Sequence, residues 1–347
     1  MQQVAYHRAA SEGAALALAA AHPGAAFIAG DTDLLQLFKQ GAAAPAQLID
    51  ISRLPLARIE RLPSAIRIGA LARLADVARH PEVRHSHPAL AEAIDASASP
   101  QVRNLATVGG NLLQRTRCGY FRSADLPCNK RQPGSGCAAR NGENRGHAIF
   151  GASPHCAATH ASDLAVALLA LDAKVHVRRQ EAARVLPIDE LFRLPGDTPQ
   201  HDSALDAGEL IVAVEVPRGA AGRRSCYLKV RDRASFEFAV VSVAAALEVE
   251  DGVIRSARLA AGGVGTVPWR LLASERALAG VRAEPAAFAA AAAHAADGAE
   301  PLSQNGFKIE LLRRTVQRAL DVTCTTATHV PLPLAGERSL TRLEIGR

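Results

Sequence analysis

Apolar residues recur along the chain with two periods, one helical and one alternating, and the switches between them predict the elements. Ser11 and Glu12 open a helix of mostly Ala and Leu that Pro23-Gly24 stops. Residues 25–29 read as a strand, Gly30-Asp31 as a tight turn, and residues 32–40 as a helix closed by Gly41. A second unit follows, with a strand over 66–71 and a helix over 74–79 ended by Pro81. An apolar-periodic helix over 88–98 then leads to the loop Thr107-Val108-Gly109-Gly110-Asn111.

From residue 115 to 156 the pattern fails: Arg, Asn, Gly, Pro and Cys crowd the segment, which reads as an inserted loop carrying its own staple. Regular structure resumes with Ser162 as a helix cap, an apolar helix over 164–171 and a strand over 174–178. A boundary falls near residues 217–224. Beyond it an antiparallel hairpin is expected, 238–250 and 253–261, joined at Asp251-Gly252. Helices over 271–279, 285–296 and 309–322 close the pattern, the Ala-rich second one reading as packed helix.

At 347 residues, 48% hydrophobic and 21% charged, the chain has room for two or three compact domains. It contains no apolar run long enough for a membrane-spanning helix. The stretch Ala14 to Ala21, following His7 and Arg8, imitates the apolar part of a signal peptide, but its helix start and stop signals favour a packed helix. No signal peptide is therefore expected, and export is left to a signal-bearing partner. The net charge of +6 raises the question of nucleic acid, yet Arg is spread along the chain and only three Tyr and one Trp are available for stacking. A basic interface or an anionic cofactor accounts for the charge equally well.

Four segments carry candidate chemistry. In Phe27-Ile28-Ala29-Gly30-Asp31-Thr32-Asp33-Leu34 a strand feeds a helix through Gly, which presents backbone N–H groups to an anion such as a diphosphate. An ordinary turn capped by Asp31 or Thr32 explains this segment alone with fewer assumptions. In the second loop Gly109 and Gly110 allow close backbone approach and positive φ, while Thr107 and Asn111 can hydrogen-bond a ligand; a plain tight turn is the simpler alternative. Ser162-Asp163 suits a helix start on cap and dipole grounds alone. Lys229, rare in an Arg-dominated chain, reads on its own as a solvated lysine on a strand.

Cys118, Cys128, Cys137 and Cys156 stand apart, with nine, eight and eighteen residues between them. Those intervals do not fit paired C-x-x-C zinc knuckles. A loop can deliver thiolates to an iron–sulfur cluster at irregular spacing, and two disulfides remain the alternative in an oxidising compartment. Arg115, Arg117, Arg122, Lys130 and Arg131 flank these cysteines, and their charge is expected to favour thiolates. Cys226, on an expected strand, and Cys324, just beyond an expected helix, read as packed thiols.

Taken in order, the segment from Phe27 to Leu34, the loop from Thr107 to Asn111, Ser162-Asp163 before an apolar helix, and Lys229 before Ser-Phe-Glu-Phe-Ala resemble the FAD subunit of the xanthine dehydrogenase and aldehyde oxidase family of molybdenum hydroxylases. The resemblance implies an α+β fold: two α+β subdomains enclosing FAD in the manner of p-cresol methylhydroxylase-type flavoproteins, then a domain of antiparallel sheet plus helices. It sets an FAD-binding domain at 1–222, with subdomains of about 1–55 and 56–222 and the insertion at 115–156, a C-terminal domain at 223–335 and a tail at 336–347. It assigns both glycine-bearing loops to the FAD diphosphate, Ser162 and Asp163 to the ribityl and phosphate region, and Lys229 to the neighbourhood of the flavin. Arg115 and Ile211 join the cofactor-binding set on the same ground. Neither loop offers His or Cys as an attachment site, so the flavin is expected to be noncovalent.

The insertion, with the stretch from Asn111 to Arg122, resembles that of the FAD subunit of bacterial periplasmic aldehyde oxidoreductases, where it carries a [4Fe–4S] cluster. The flavin subunit of 4-hydroxybenzoyl-CoA reductase has a comparable insertion with different cysteine intervals and is the alternative. The resemblance implies a heterotrimer: a large molybdenum-pterin subunit oxidises an aldehyde, a small [2Fe–2S] subunit relays the electrons, and this subunit passes them through FAD to an external acceptor. No acid–base catalytic residue is expected here. Location is expected to be periplasmic by co-export, and otherwise cytoplasmic. A non-redox scaffold with disulfide-linked loops, or an iron–sulfur nucleic-acid-binding module, are rivals from other classes, and neither explains the ordered flavin motifs.

Overall fold

The computed structural model describes residues 3–180 and 182–325. The C-terminal end of the expected second domain, 326–335, and the tail 336–347 lie outside the described residues. Strands gather into sheets of three, five and four, and helices cover them, as the α+β expectation requires.

The first sheet is parallel, with β1 (Ala5–Arg8), β2 (Ala25–Ile28) and β3 (Gln47–Asp50) in the order β1-β3-β2. The helix Glu12–Ala21 connects β1 to β2. Ser11 Oγ caps it by accepting the Ala14 N–H at 3.1 Å, and Ala15 and Leu16 are buried in the same cluster as Ile49 of β3. The Ala-rich stretch is thus a packed helix. After β2 the chain turns through residues 29–33 and the helix begins at Leu34, two residues later than the pattern suggests.

The second sheet runs β4 (Ile59–Arg61), β5 (Ala65–Gly69), β8 (Leu210–Pro217), β6 (Lys174–Arg179) and β7 (Ala182–Pro187), all antiparallel. β8 comes last in sequence yet lies at the centre, and it ties the second sheet to the first, because Leu210 and Val212 pack against Leu16 and Ile49. The largest core lies beneath the helices Pro88–Asp95 and Asp163–Ala170, whose apolar faces meet Ile66, Ile68, Val175 and Val214.

In the third sheet β9 (Ser225–Val230), β10 (Val241–Glu250), β11 (Val253–Gly262) and β12 (Trp269–Arg270) follow one another across the order β12-β11-β10-β9. Asp251 and Gly252 both take positive φ, +52° and +75°, which a tight hairpin of this handedness requires. The helix Phe307–Thr325 lies on this sheet through Leu312, Val316 and Leu320, and it extends three residues beyond the expected end, so Cys324 sits within it. Among the described residues, no helix is long and apolar enough to cross a membrane.

β9 is an edge strand, and a glutamate from the first half of the chain covers it: Glu92 Oε2 accepts the Tyr227 N–H at 2.7 Å. Burial pushes Glu92 up to about 7, against an ordinary value of 4.5. The native carboxyl therefore keeps its proton over a range in which the unfolded one has lost it. Its contribution to stability is fully present below the unfolded value and is lost as pH rises through about 7. Glu92→Gln keeps an acceptor oxygen but cannot ionise, so the fall in denaturation midpoint between about pH 5 and about pH 8 should shrink in the variant. Equal falls in both proteins, measured by urea denaturation, would contradict this assignment.

Candidate functional site

The turn after β2 forms one wall of a cavity of about 320 Å³. All eight residues from Phe27 to Leu34 line it, together with Thr107, Gly110, Arg115 and Ile211. The amides of Gly30, Asp31, Thr32 and Asp33 donate no hydrogen bond among the described residues, so the turn presents unpaired N–H groups as an anion site does. Asp31 takes a φ of +59°, a left-handed conformation uncommon for a residue with a side chain. Burial, then the nearby Asp50, raises its pKa. Gly30 is held to glycine for a different reason: a Cβ there would stand 2.1 Å from the Leu105 carbonyl oxygen.

The Thr107-to-Asn111 segment departs from the loop expected of it. Val108–Leu112 is a short helix, with Thr107 as its cap accepting the Gly110 N–H at 3.2 Å. Neither Gly109 nor Gly110 has positive φ. Their amides are already used, Gly109 donating to Ala70 O and Gly110 to Thr107, so the pair offers a side-chain-free surface rather than free donors. A Cβ on Gly109 would press to 3.2 Å of Ala70 Cβ, which explains that glycine by packing.

The groove continues from Asp33 and Gly110 past Asn111 and Ser97 to Asp163. Ser162 Oγ accepts the Ala165 N–H as the expected cap and donates to Asn111 Oδ1 at 2.6 Å, joining the second and third candidate segments. Asp163 is 7% exposed and accepts from Lys229 Nζ at 2.8 Å, Tyr227 Oη at 2.5 Å and Ser97 Oγ at 2.9 Å. Lys229 is not the solvated lysine that β9 alone suggests: its side chain is 3% exposed, and it also donates to Ala96 O. It stands behind Asp163 rather than in the groove wall, so whatever it does there passes through that carboxylate. Burial and the Asp163 charge hold the Tyr227 phenol protonated far above its usual range.

Asp33 carries a second duty that no local pattern in the chain announces. Its Oδ2 accepts the Arg115 backbone N–H at 2.8 Å, and its Oδ1 accepts from Arg122 at 2.7 Å and pairs with Arg117 at 3.0 Å. The insertion is thereby fastened to the turn that lines the cavity. Beside this clasp Phe121, 1% exposed, packs with Leu37 and Cys128, and the Arg115 guanidinium lies over its ring. Arg115 and Lys130 both pair with Asp202, and Arg131 donates to the carbonyls of Tyr120, Phe121, Ala124 and Leu126. The flanking cations thus make their hydrogen bonds and ion pairs with carboxylates and carbonyls, while Lys130 also lines the cysteine cavity and its charge lowers the Cys156 pKa, against the larger effect of burial.

Cys118, Cys128, Cys137 and Cys156 line one small cavity, and all four are free thiols. Cys128 and Cys137 face each other across an isolated antiparallel bridge. Burial pushes Cys118 up to about 11, with the neighbouring Cys128 and Cys156 adding to the effect, and burial raises Cys156 as well. Among the described residues, no group of His, Cys, Asp and Glu converges closely enough to hold a single metal ion. What the four cysteines share is the lining of that cavity. Cys226 and Cys324 lie elsewhere, Cys226 fully within the third-sheet core with Thr323 Oγ1 donating to it at 3.0 Å.

Replacing Asp163 by Asn tests the buried pair. The change keeps the shape but leaves Lys229 without its counter-charge, and breaking such a pair costs about 3–5 kcal/mol. Urea denaturation of Asp163→Asn should show a loss of that size, and a loss below about 1 kcal/mol, the ordinary worth of an exposed pair, would mean that Lys229 is not held by this carboxylate.

Comparison with known proteins agrees with this geometry. Residues 2–219 match the FAD binding domain in molybdopterin dehydrogenase, and residues 226–323 match the CO dehydrogenase flavoprotein C-terminal domain. The chain is 45% identical over 323 residues to the aldehyde oxidoreductase FAD-binding subunit of Escherichia coli, covering 92% of this chain and 98% of that one. It is 28% identical to the 6-hydroxypseudooxynicotine dehydrogenase complex subunit alpha of Paenarthrobacter nicotinovorans, over 85% and 86% of the two chains. A chain of carbon monoxide dehydrogenase from Hydrogenophaga pseudoflava superposes with a TM-score of 0.73 at 26% identity, over 93% of this chain and 98% of that one. A chain of quinoline 2-oxidoreductase from Pseudomonas putida 86 shares the fold, with a TM-score of 0.74 at 22% identity over 94% and 99%. With both halves matched and the cavity of the FAD-binding half lined by the residues the motifs single out, the chain belongs to the FAD-binding subunits of the molybdenum hydroxylase family.

Proposed function

We propose that this chain is the FAD- and [4Fe–4S]-containing electron-transfer subunit of a heterotrimeric molybdenum aldehyde oxidoreductase. The observation that carries the proposal is the position of the cysteine cavity: four free thiols surround one space in an insertion fastened to the turn that lines the groove. The 45% identity to an aldehyde oxidoreductase FAD-binding subunit supports the aldehyde reading over a 4-hydroxybenzoyl-CoA reductase-like complex. Four free thiols also count against a scaffold joined by disulfides.

FAD and the cluster supply the electron-carrying chemistry when bound, linking a large molybdenum-pterin subunit and a small [2Fe–2S] subunit to an external acceptor. The chain's own residues bind, orient and seclude. The unpaired amides of Gly30 to Asp33 face the diphosphate, and Gly110 leaves the backbone bare where the ligand passes. Asn111 and Asp163 border the continuation of the groove, and Ile211 closes the cavity on the β8 side. Cys118, Cys128, Cys137 and Cys156 hold the cluster, and Phe121 and Pro127 shield it.

The purified chain should contain one flavin, and iron and acid-labile sulfide should each approach about four per chain, the complement that four cysteines hold. Ser substitution at any of the four should lower both contents, whereas Cys226→Ser and Cys324→Ser should leave them unchanged. Two iron atoms per chain, zinc in their place, or an undiminished content in Cys156→Ser would overturn the assignment.

A further inference from the structure

His147 belongs to the insertion and is 8% exposed, with its Nε2 3.3 Å from Cys118 Sγ. Its Nδ1 is buried and makes no hydrogen bond among the described residues, so the sulfur is the ring's one hydrogen-bonding contact there. The ring leans against Tyr120, with centroids 6.1 Å apart. Its backbone is fixed as well: the N–H donates to Asn144 O at 2.9 Å, and the carbonyl accepts from Asn305 Nδ2 at 3.0 Å and Lys308 Nζ at 2.9 Å. The ring is therefore aimed at Cys118 by a frame built from the start of the helix Phe307–Thr325.

The direction of the contact follows from the chemistry of the sulfur. A free thiol can give its proton to Nε2, but a cysteine bound to iron has none to give. The hydrogen must then sit on Nε2, and the imidazole becomes the donor.

We propose that His147 donates its Nε2–H to the iron-bound sulfur of Cys118 and thereby raises the reduction potential of the cluster. The proposal rests on the four-cysteine cluster of the preceding section. A hydrogen bond to a ligand sulfur stabilises the added negative charge of the reduced state more than it stabilises the oxidised one. Lys308 acts in the same direction. It is fully buried, its two hydrogen bonds go to the carbonyls of His147 and Gly263, and it has no carboxylate partner among the described residues. A cluster with four thiolate ligands supplies the negative charge this ammonium otherwise lacks.

The test is a redox titration of the full chain as purified, followed by electron paramagnetic resonance, for the wild type, His147→Phe and His147→Gln, with iron and sulfide measured on each. Phe keeps a flat ring against Tyr120 but has no N–H, while Gln restores a donor. His147→Phe should keep its iron and show a lower potential, with the reduced-to-oxidised ratio at a fixed applied potential falling roughly fivefold, the equivalent of one ordinary hydrogen bond. His147→Gln should recover most of that shift. Loss of the cluster in the Phe variant alone, with Gln at wild-type content, also supports the donor. An unmoved potential at full iron content in His147→Phe, equal shifts in both variants, or loss of the cluster from both would overturn it. Wild-type protein without iron is a separate result: it removes the cluster reading itself, and this inference with it.

Discussion

The Asp33 carboxylate accepts the Arg115 amide and is bound by the Arg117 and Arg122 guanidinium groups, and through that meeting the two candidate cofactor sites become one structure. Hydrogen bonds to charged groups contribute about 1.5–3 kcal/mol each, and those at Asp33 are little weakened by water because its side chain is only 12% exposed. Without this node the near end of the insertion would have few means of ordering itself, since its apolar contacts there are the small group around Phe121, Leu37 and Cys128, whereas Ile149 and Phe150 anchor the far end in the third-sheet core. Coupling of this kind is reciprocal: whatever orders the cysteine loop also orders the turn that lines the groove, and the reverse holds equally.

The far end of the insertion is held by the C-terminal domain. The Asn144 N–H donates to Gln304 Oε1 and its Nδ2 to Ser303 Oγ, both at 3.0 Å, and Lys308 and Asn305 fix the His147 carbonyl. The same domain supports the groove from behind, where Tyr227 and Lys229 of β9 hold Asp163. Glu92 of the first domain reaches back to that strand. Buried charge, each placed against a specific partner, therefore marks the joins between segments far apart in sequence, while the apolar clusters build the bodies being joined.

Much of this was legible in the chain, and the failures have a common cause. The strand, turn and helix around Gly30, the Ser162 cap and the Asp251-Gly252 hairpin rest on local rules and are found close to where those rules put them. The glycine pair misled because a Gly-Gly-Asn run is read as a turn, whereas Thr107 caps a short helix there and packing against Ala70 accounts for Gly109. Lys229 looked solvated because its counter-ion lies 66 residues away on another element. The meeting of Asp33 with Arg117 and Arg122 spans more than 80 residues, and an arginine-rich loop offers too many equivalent cations for a sequence to say which one finds the carboxylate. The central place of β8 was likewise invisible, since strand order in a sheet is settled by packing.

What occupies the space between Cys118, Cys128, Cys137 and Cys156 decides whether this subunit carries a cluster. Anomalous diffraction from crystals of the anaerobically purified protein, collected on both sides of the iron absorption edge, reads this directly. A single compact iron peak enclosed by these four sulfurs is expected. No iron signal there, a peak centred on other residues, or sulfurs joined in pairs as disulfides would contradict it.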